Sequence, residues 1–335
     1  MIAYSDEWWT YRKTCNGFYV IDLIGKRDLP FLSAICWQES TARKLSPEEM
    51  LRLYERNWRF LGVLGHPTAE EFAFIAKIAK SYGSWLNAEL SVAMNSNSDR
   101  SMFERPIHQS IFKILGSLNV ANLEAHHAYF GGGTLISLLL NEYRLSKDID
   151  FMCPFGEGYR GLRQAVNQFG YDALFQDRTQ IKLPREIQCN QYGIRFPVEV
   201  DGTIIKFEIV AEGRITFEPP SHYDWLPVAC LSLVDCFAEK LLANADRWLD
   251  TSVESRDLID LAMLCQHFPL PQAAIQKAES AYPVIEPLRK AIANFQAKPK
   301  YQETCFASLG IGDPDRVLLG MKALADDFGV PQDSE

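Results

Sequence analysis

No Cys-x-x-Cys pair and no Cys/His spacing of a zinc site occurs among the eight cysteines, Cys15, Cys36, Cys153, Cys189, Cys230, Cys236, Cys265 and Cys305. A zinc-built fold and a dithiol redox motif are thereby excluded as organising devices. Thiols scattered in this way read as buried and reduced. Long apolar runs are missing too. Nothing approaches the ~18 residues of a membrane span, and the opening stretch MIAYSDEWWTYRKTCNG brings acids early and carries no apolar signal core. The expectation is a cytoplasmic protein without membrane contact. Positive charge is scarce: the formal net charge is -9. That excludes coating nucleic acid by bulk electrostatics but leaves a local basic patch free to grip phosphates. No repeat of fixed period is visible.

What is present is ordinary globular material, 335 residues at 47% hydrophobic and 23% charged, which suffices for two domains or for one domain with a large appendage. The first hundred residues read as a helical appendage. In SPEEMLRLYERNWRFLG, Ser46 reads as N-cap, Pro47 as first helical residue and Glu49 as the closing member of a capping box. Leu51, Tyr54, Trp58 and Leu61 then share one face. Thr68 and Glu71 repeat the device ahead of a second apolar face of Phe72, Ile75, Ile78, Tyr82 and Trp85. Aromatic stripes at core-facing spacing are read as two helices packing on each other rather than as a platform for bases. The small, polar, aperiodic stretch 94–104 is a linker signal, with a boundary near residue 100.

Beyond it the pattern predicts an α+β fold, a mixed sheet flanked by helices. IHQSIFKILGSLN reads as helix, HAYF as extended, and QIKLP, GIRFPVEVDG and TIIKFEIVAEG as strands. Helical periodicity returns in LVDCFAEKLLANADRWL and SRDLIDLAMLCQHF, with less regular helices after Pro271. The expected division is a helical N-terminal appendage over 1–100, a mixed core over 101–228, and a helical C-terminal region over 229–335 that completes the site.

The chemistry is concentrated in YFGGGTLISLLLNEYRLSKDIDF, from Tyr129 to Phe151. On a strand, Asp148 and Asp150 lie roughly 6.6 Å apart on one face while Ile149 and Phe151 pack behind. Two ionised carboxylates so close repel, and a cation relieves them. Mg²⁺ suits, because it takes hard oxygen ligands and is commonly held by one or two carboxylates plus substrate phosphates. Gly131, Gly132 and Gly133 leave room for a phosphate to approach the backbone. A helix starting near Thr134 would aim its free N–H groups at that anion, with Thr134 as its cap. A nucleoside triphosphate would have a cradle at one end and a metal at the other. The spacing is neither that of a P-loop nor that of the Rossmann fingerprint.

These residues resemble a known family. Gly-Gly, a helix and then Asp-x-Asp on a strand is similar to the signature of the DNA polymerase β-type nucleotidyltransferase fold. Gly-Gly-Thr followed by Arg-Leu-Ser-x-Asp-Ile-Asp-Phe resembles more narrowly the AbiEii/AbiGii toxins, the toxin side of bacterial type IV toxin–antitoxin and abortive-infection systems. EKLLANADRW and SRDLIDLAML resemble that family's Lys-bearing and Arg-Asp-Leu-x-Asp-Leu helices, so the likeness covers roughly residues 106–265.

The resemblance implies transfer of a nucleoside monophosphate from an NTP, with Mg²⁺ or Mn²⁺ on Asp148 and Asp150. The phosphates would be held by Gly132, Gly133, Thr134, Arg144 and Ser146, the last also a modification candidate. Lys240 and Asp257 are given catalytic-site roles. Periodicity agrees in part: Lys240 and Arg247 share a helical face, as do Arg256, Asp257 and Asp260 on an otherwise apolar helix. The alternative there is an internal ion pair of Arg256 with a carboxylate, joined by Lys240. Glu208 in IIKFEIV is the candidate third carboxylate, with Asp201 its rival at a hairpin turn; a solvated Glu208–Lys206 strand face is the alternative. The implied acceptor is RNA, especially tRNA, and the implied partner an antitoxin. A small-molecule nucleotidyltransferase, or a catalytically silent interaction protein, are the competing functions.

Overall fold

The computed structural model describes residues 103–330 continuously and, ahead of them, residues 4–6, 9–13, 19–23, 29–35, 45–58, 61, 67–84 and 86. The chain divides into two compact units, Met1–Arg100 and Ser101–Glu335. Most of the expected linker, residues 94–102, and the expected core residue Trp85 lie outside the described residues.

In the first unit, short strands β1 (Tyr4–Asp6), β2 (Trp9–Lys13) and β3 (Tyr19–Leu23) form an antiparallel sheet. A purely helical reading missed it. The clue was the alternation of Tyr19, Ile21 and Leu23 with polar or branched neighbours, too short a run to outweigh the helical segments downstream. Helices α1 (Pro30–Ile35), α2 (Pro47–Asn57) and α3 (Ala69–Ser81) follow. The Ser46–Glu49 capping box forms as expected. At the second site only half the device forms. Thr68 caps α3, but Glu71 is buried and accepts instead from the backbone N–H groups of Phe31 at 3.0 Å and Leu32 at 2.8 Å and from Tyr54 Oη at 2.7 Å. A carboxylate inside a small core is drawn to whichever orphan donors it can satisfy, here those opening α1. Tyr82, expected in the apolar face, is exposed, whereas Ile75 and Ile78 are fully buried.

The second unit is a five-stranded mixed sheet flanked by helices. Helices α4 (Pro106–Gly116) and α5 (Val120–Ala125) lead into β4 (Tyr129–Gly131), α6 (Gly132–Leu139) and β5 (Asp148–Pro154). Helix α7 (Glu157–Phe169) precedes β6 (Gln188–Cys189), β7 (Gly193–Val200) and β8 (Thr203–Glu212). The expected strand QIKLP is reduced to one bridge between Lys182 and Glu199. Strand order is β4-β5-β8-β7-β6, with β5 and β8 parallel and the other pairs antiparallel.

One sheet face is dry. Ile149, Phe151, Ile205, Phe207, Ile209, Ile194 and Val198 are fully buried there, and Phe207 stacks between Phe151 and Phe196 with centroids 5.5 and 4.8 Å away. The other face carries Asp148, Asp150, Lys206, Glu208 and Arg195. Period-two alternation thus delivers the polar residues of three strands to one surface. Helices α8 (Leu233–Arg247), α9 (Arg256–His267), α10 (Gln272–Ala281), α11 (Ile285–Gln296), α12 (Pro299–Ser308) and α13 (Pro314–Asp327) complete the unit. Among the described residues no helix is long and apolar enough to cross a membrane.

Candidate active site

The polar sheet face, the start of α6 and one side of α8 enclose a cleft of about 470 Å³. Asp148 and Asp150 line it from β5 and Gly132 and Gly133 from the start of α6. The helix begins two residues earlier than expected. Gly131 occupies the N-cap position without a side-chain cap, and Thr134 is buried inside the first turn. Its hydroxyl sits 2.7 Å from Ser146 Oγ and donates to the Asp148 carbonyl at 2.5 Å. Thr134 therefore ties α6 to β5 rather than facing a phosphate. Ser146 lines the cleft.

Each glycine answers to a specific neighbour. A Cβ on Gly131 would lie 2.6 Å from Leu231 Cδ1, one on Gly132 would lie 2.7 Å from Asp150 Oδ2, and one on Gly133 would lie 2.1 Å from Arg144 Nη2. Gly132 also has φ +70°, in the left-handed region.

The loop between α6 and β5 is pinned from behind. Asn141 and Glu142 adopt left-handed backbone, and the Glu142 carboxylate accepts from the backbone N–H groups of Glu104 and Arg105 at 2.7 and 3.1 Å. His108, fully buried and with its pKa lowered by burial, lies 2.7 Å from Glu142 Oε1 through Nδ1. Its Nε2 lies 3.1 Å from the Ser146 carbonyl oxygen and 3.3 Å from the Ser146 nitrogen. The sequence offered no signal for this histidine, because its partners are more than thirty residues away.

Helix α8 and the loop before β5 supply a wall of cations already paired to aspartates of α9. Lys240 Nζ lies 2.9 Å from Asp257 Oδ1 and 2.6 Å from Asp260 Oδ2. Arg247 holds Asp257 at 2.6 Å. Arg144 meets Asp260 through two bonds, Nε at 2.6 Å and Nη2 at 2.8 Å, and Tyr143 Oη donates to the same carboxylate. Burial alone would lower the Lys240 pKa, but Asp257 and Asp260 outweigh it and hold the ammonium charged. Asp257, expected as a catalytic group, does not line the cleft; it stands behind Lys240 and Arg247 and fixes them. Arg256 lines the cleft without an ion pair among the described residues, and the buried pair anticipated for it is made by Arg144 with Asp260 instead. Arg144 reaches Asp260 because the loop folds its guanidinium into the space that Gly133 leaves empty.

On the sheet side, Glu208 lies beside Asp150 in the β5–β8 register and beside Arg195 in the β7–β8 register. It does not offer a free carboxylate. Arg195 and Lys206 both grip it, and although burial would raise its pKa, they hold it below the usual range. Asp201 sits in the β7–β8 turn with left-handed backbone and pairs with Lys113 at 2.7 Å; it does not line the cleft.

Glu239 was not anticipated. It lines the cleft one residue before Lys240, and Arg214 joins it at 2.9 Å to Glu212 at 2.6 Å. Burial and the neighbouring Glu212 push its carboxyl up to about 8. Because this folded-state value lies above that of the unfolded chain, the group's contribution to stability is intact below the unfolded value and is lost as pH rises toward about 8. Glu239→Gln should therefore flatten the decline of melting temperature between pH 6 and pH 9, a range of roughly three units bracketing the shifted value. Parallel melting curves for the two proteins across that range would contradict the assignment.

Compared with known proteins, the chain matches over residues 113–304 the family described as nucleotidyl transferase AbiEii toxin, type IV TA system. Among solved structures, one from Helicobacter pylori described as a nucleotidyltransferase is 17% identical, with a TM-score of 0.41, 66% of this chain and 92% of that chain being covered. JHP933 from Helicobacter pylori is also 17% identical, with a TM-score of 0.41 and coverage of 68% and 93%. No curated protein matches. With its glycine-led helix, paired strand aspartates and cationic helix wall in one cleft, the chain belongs to the AbiEii family of nucleotidyltransferases.

Proposed function

We propose that this nucleotidyltransferase moves a nucleoside monophosphate from an NTP to a hydroxyl of an RNA acceptor, tRNA foremost, and does so as the toxin partner of an antitoxin protein. The observation that carries the reading is the juxtaposition of Asp148 and Asp150 with the Gly132–Gly133 helix start and the Lys240 ammonium around one cleft.

A divalent ion, Mg²⁺ or Mn²⁺, fits the donor set. The Asp148 and Asp150 carboxylates have no hydrogen-bond or ion-pair partner among the described residues, and burial and the neighbouring Asp148 push the Asp150 carboxyl up to about 6, a strain that a cation relieves. Among the described residues no group of three or more His, Cys, Asp or Glu side chains is arranged around a metal, so substrate oxygens would supply the other ligands. When bound, the ion would neutralise charge on the reacting phosphate and on the leaving pyrophosphate.

The chain's own groups do the rest. The free N–H groups opening α6 face the triphosphate, and Lys240, kept charged by its two aspartates, stabilises the negative charge that shifts onto the leaving oxygens. The acceptor hydroxyl oxygen bonds to the α-phosphorus as the bond to pyrophosphate breaks, and its proton is released to water. Six cationic side chains line the cleft against five acidic ones. Arg256, without an ion pair among the described residues, and the exposed Lys147 leave positive charge at the cleft, which supports a polyanionic acceptor over a polycationic one such as an aminoglycoside.

The test is incubation with Mg²⁺, each labelled NTP in turn and total cellular RNA, beside an Asp148→Ala/Asp150→Ala double variant. Label on RNA that requires the intact aspartates is the expected result. Label confined to a small-molecule pool would replace the acceptor, and no label anywhere would overturn the reading.

A further inference from the structure

Two further cations stand on the polar sheet face, Lys206 lining the cleft and Arg195 beside it on the next strand, outside the lining. In strand order the aspartates of β5 have the glycine loop on one side, after β4, and Lys206 and Arg195 on the other, on β8 and β7. Lys240 and Arg144 reach the cleft from a largely buried ion-pair network, with side chains 7% and 3% exposed, whereas the Lys206 and Arg195 side chains remain 53% and 35% exposed. Glu208 holds both by one carboxylate between them, so the two charges are fixed on neighbouring strands, about 4.8 Å apart in the sheet. Next to Gly193, which is paired with Val210 of the cleft floor, the β6–β7 turn carries Tyr192, an aromatic ring 66% exposed.

In phosphoryl transfer the attacking and leaving oxygens lie roughly in line, so leaving group and acceptor approach the phosphorus from opposite sides. Cations on both sides of the metal-binding aspartates then have distinct work. The set on the glycine and α8 side meets the triphosphate. An exposed cation pair followed by an exposed aromatic is how single-stranded nucleic acid is held, by its backbone charge and by stacking of a base.

Resting on the nucleotidyl-transfer reading, we propose that Arg195 and Lys206, positioned by Glu208, bind a backbone phosphate of the acceptor, and that Tyr192 stacks on a neighbouring base. The acceptor is thereby bound as a single strand along β8 and β7. Glu208 is a positioning residue here rather than a third metal ligand.

The test is binding of a short fluorescent single-stranded RNA to the full chain by anisotropy over a salt series without NTP, which separates it from any failure of turnover. Arg195→Ala should weaken binding about tenfold and reduce the log–log salt slope by about 0.7, the value for one lost contact to a single strand. Arg195→Lys should recover most of the slope. Tyr192→Ala, on an exposed turn and outside the Glu208 cluster, should weaken binding roughly tenfold with the slope unchanged, and NTP affinity should move less than about twofold in either variant. Unchanged RNA affinity in both variants, loss of slope on Tyr192→Ala but not on Arg195→Ala, or no RNA binding by the wild-type chain would each overturn the assignment. If RNA binds as described but no nucleotide is transferred to it, the transfer reading fails separately.

Discussion

Asp150→Asn is expected to lower nucleotidyl transfer by about a thousandfold or more while raising the melting temperature of the metal-free protein. The two effects have one cause. Asp150 shares a strand face with Asp148, and burial followed by that neighbour's charge pushes its carboxyl up to about 6. Above that pH the folded chain holds a charge that the unfolded chain would solvate more cheaply, so stability is lost as pH rises through about 6. Asparagine keeps the shape and removes the charge. It also removes a carboxylate proposed to hold the metal where charge develops in the transition state, the kind of interaction whose loss costs about 10²–10³ or more in rate. Steady-state transfer assays and melting curves at pH 5 and pH 8 check both halves. A variant that is both inactive and less stable at pH 8 would mean that Asp150 is a structural anchor, and retained activity would remove it from the site.

Asp260→Ala is expected to cost about 3–5 kcal/mol, the range for breaking a buried ion pair from one side. For a unit of this size that is roughly 10 °C in melting temperature. Asp260 is fully buried and takes Arg144, Lys240 and the Tyr143 hydroxyl at once; removing it strands Arg144 and the hydroxyl and leaves Lys240 to Asp257 alone. Lys240→Met should behave differently. Arg247 still holds Asp257 and Arg144 still holds Asp260, so the fold should lose at most about 1–2 kcal/mol while transfer falls by about 10²-fold or more. Urea denaturation with transfer assays on both variants separates holding from reacting. Similar stability losses in the two would show that Lys240 is chiefly a structural ion.

The sheet and the carboxylate pair were legible because their signals are local. GIRFPVEV and TIIKFEIV alternate at period two, and Asp-Ile-Asp carries its own geometry. What could not be read is everything set by distant pairing. Arg144 and Asp260 are 116 residues apart, and nothing in SRDLIDLAML says that its second aspartate rather than its arginine enters a buried pair. Glu208 was legible as a residue of the active face but not as one clamped by Arg195, since that depends on the β7–β8 register. Thr134 misled for a related reason. A threonine after glycines is a good cap, but the helix had already begun two residues earlier and its hydroxyl was claimed by the following strand.

The three filled spaces at Gly131, Gly132 and Gly133 bear on how such a chain would age under relaxed selection. Leu231, the Asp150 carboxylate and the Arg144 guanidinium each occupy a place that any side chain there would need. Gly131 and Gly133 are thus demanded by the folded body itself, through Leu231 and through the Arg144–Asp260 pair, whether or not nucleotide ever binds. A descendant that had abandoned chemistry would shed the repelling aspartates first, gaining stability as it did so, and keep those glycines longest. Gly131 and Gly133 answer to packing that the folded body needs in any case, whereas the aspartates answer only to the chemistry proposed for the cleft.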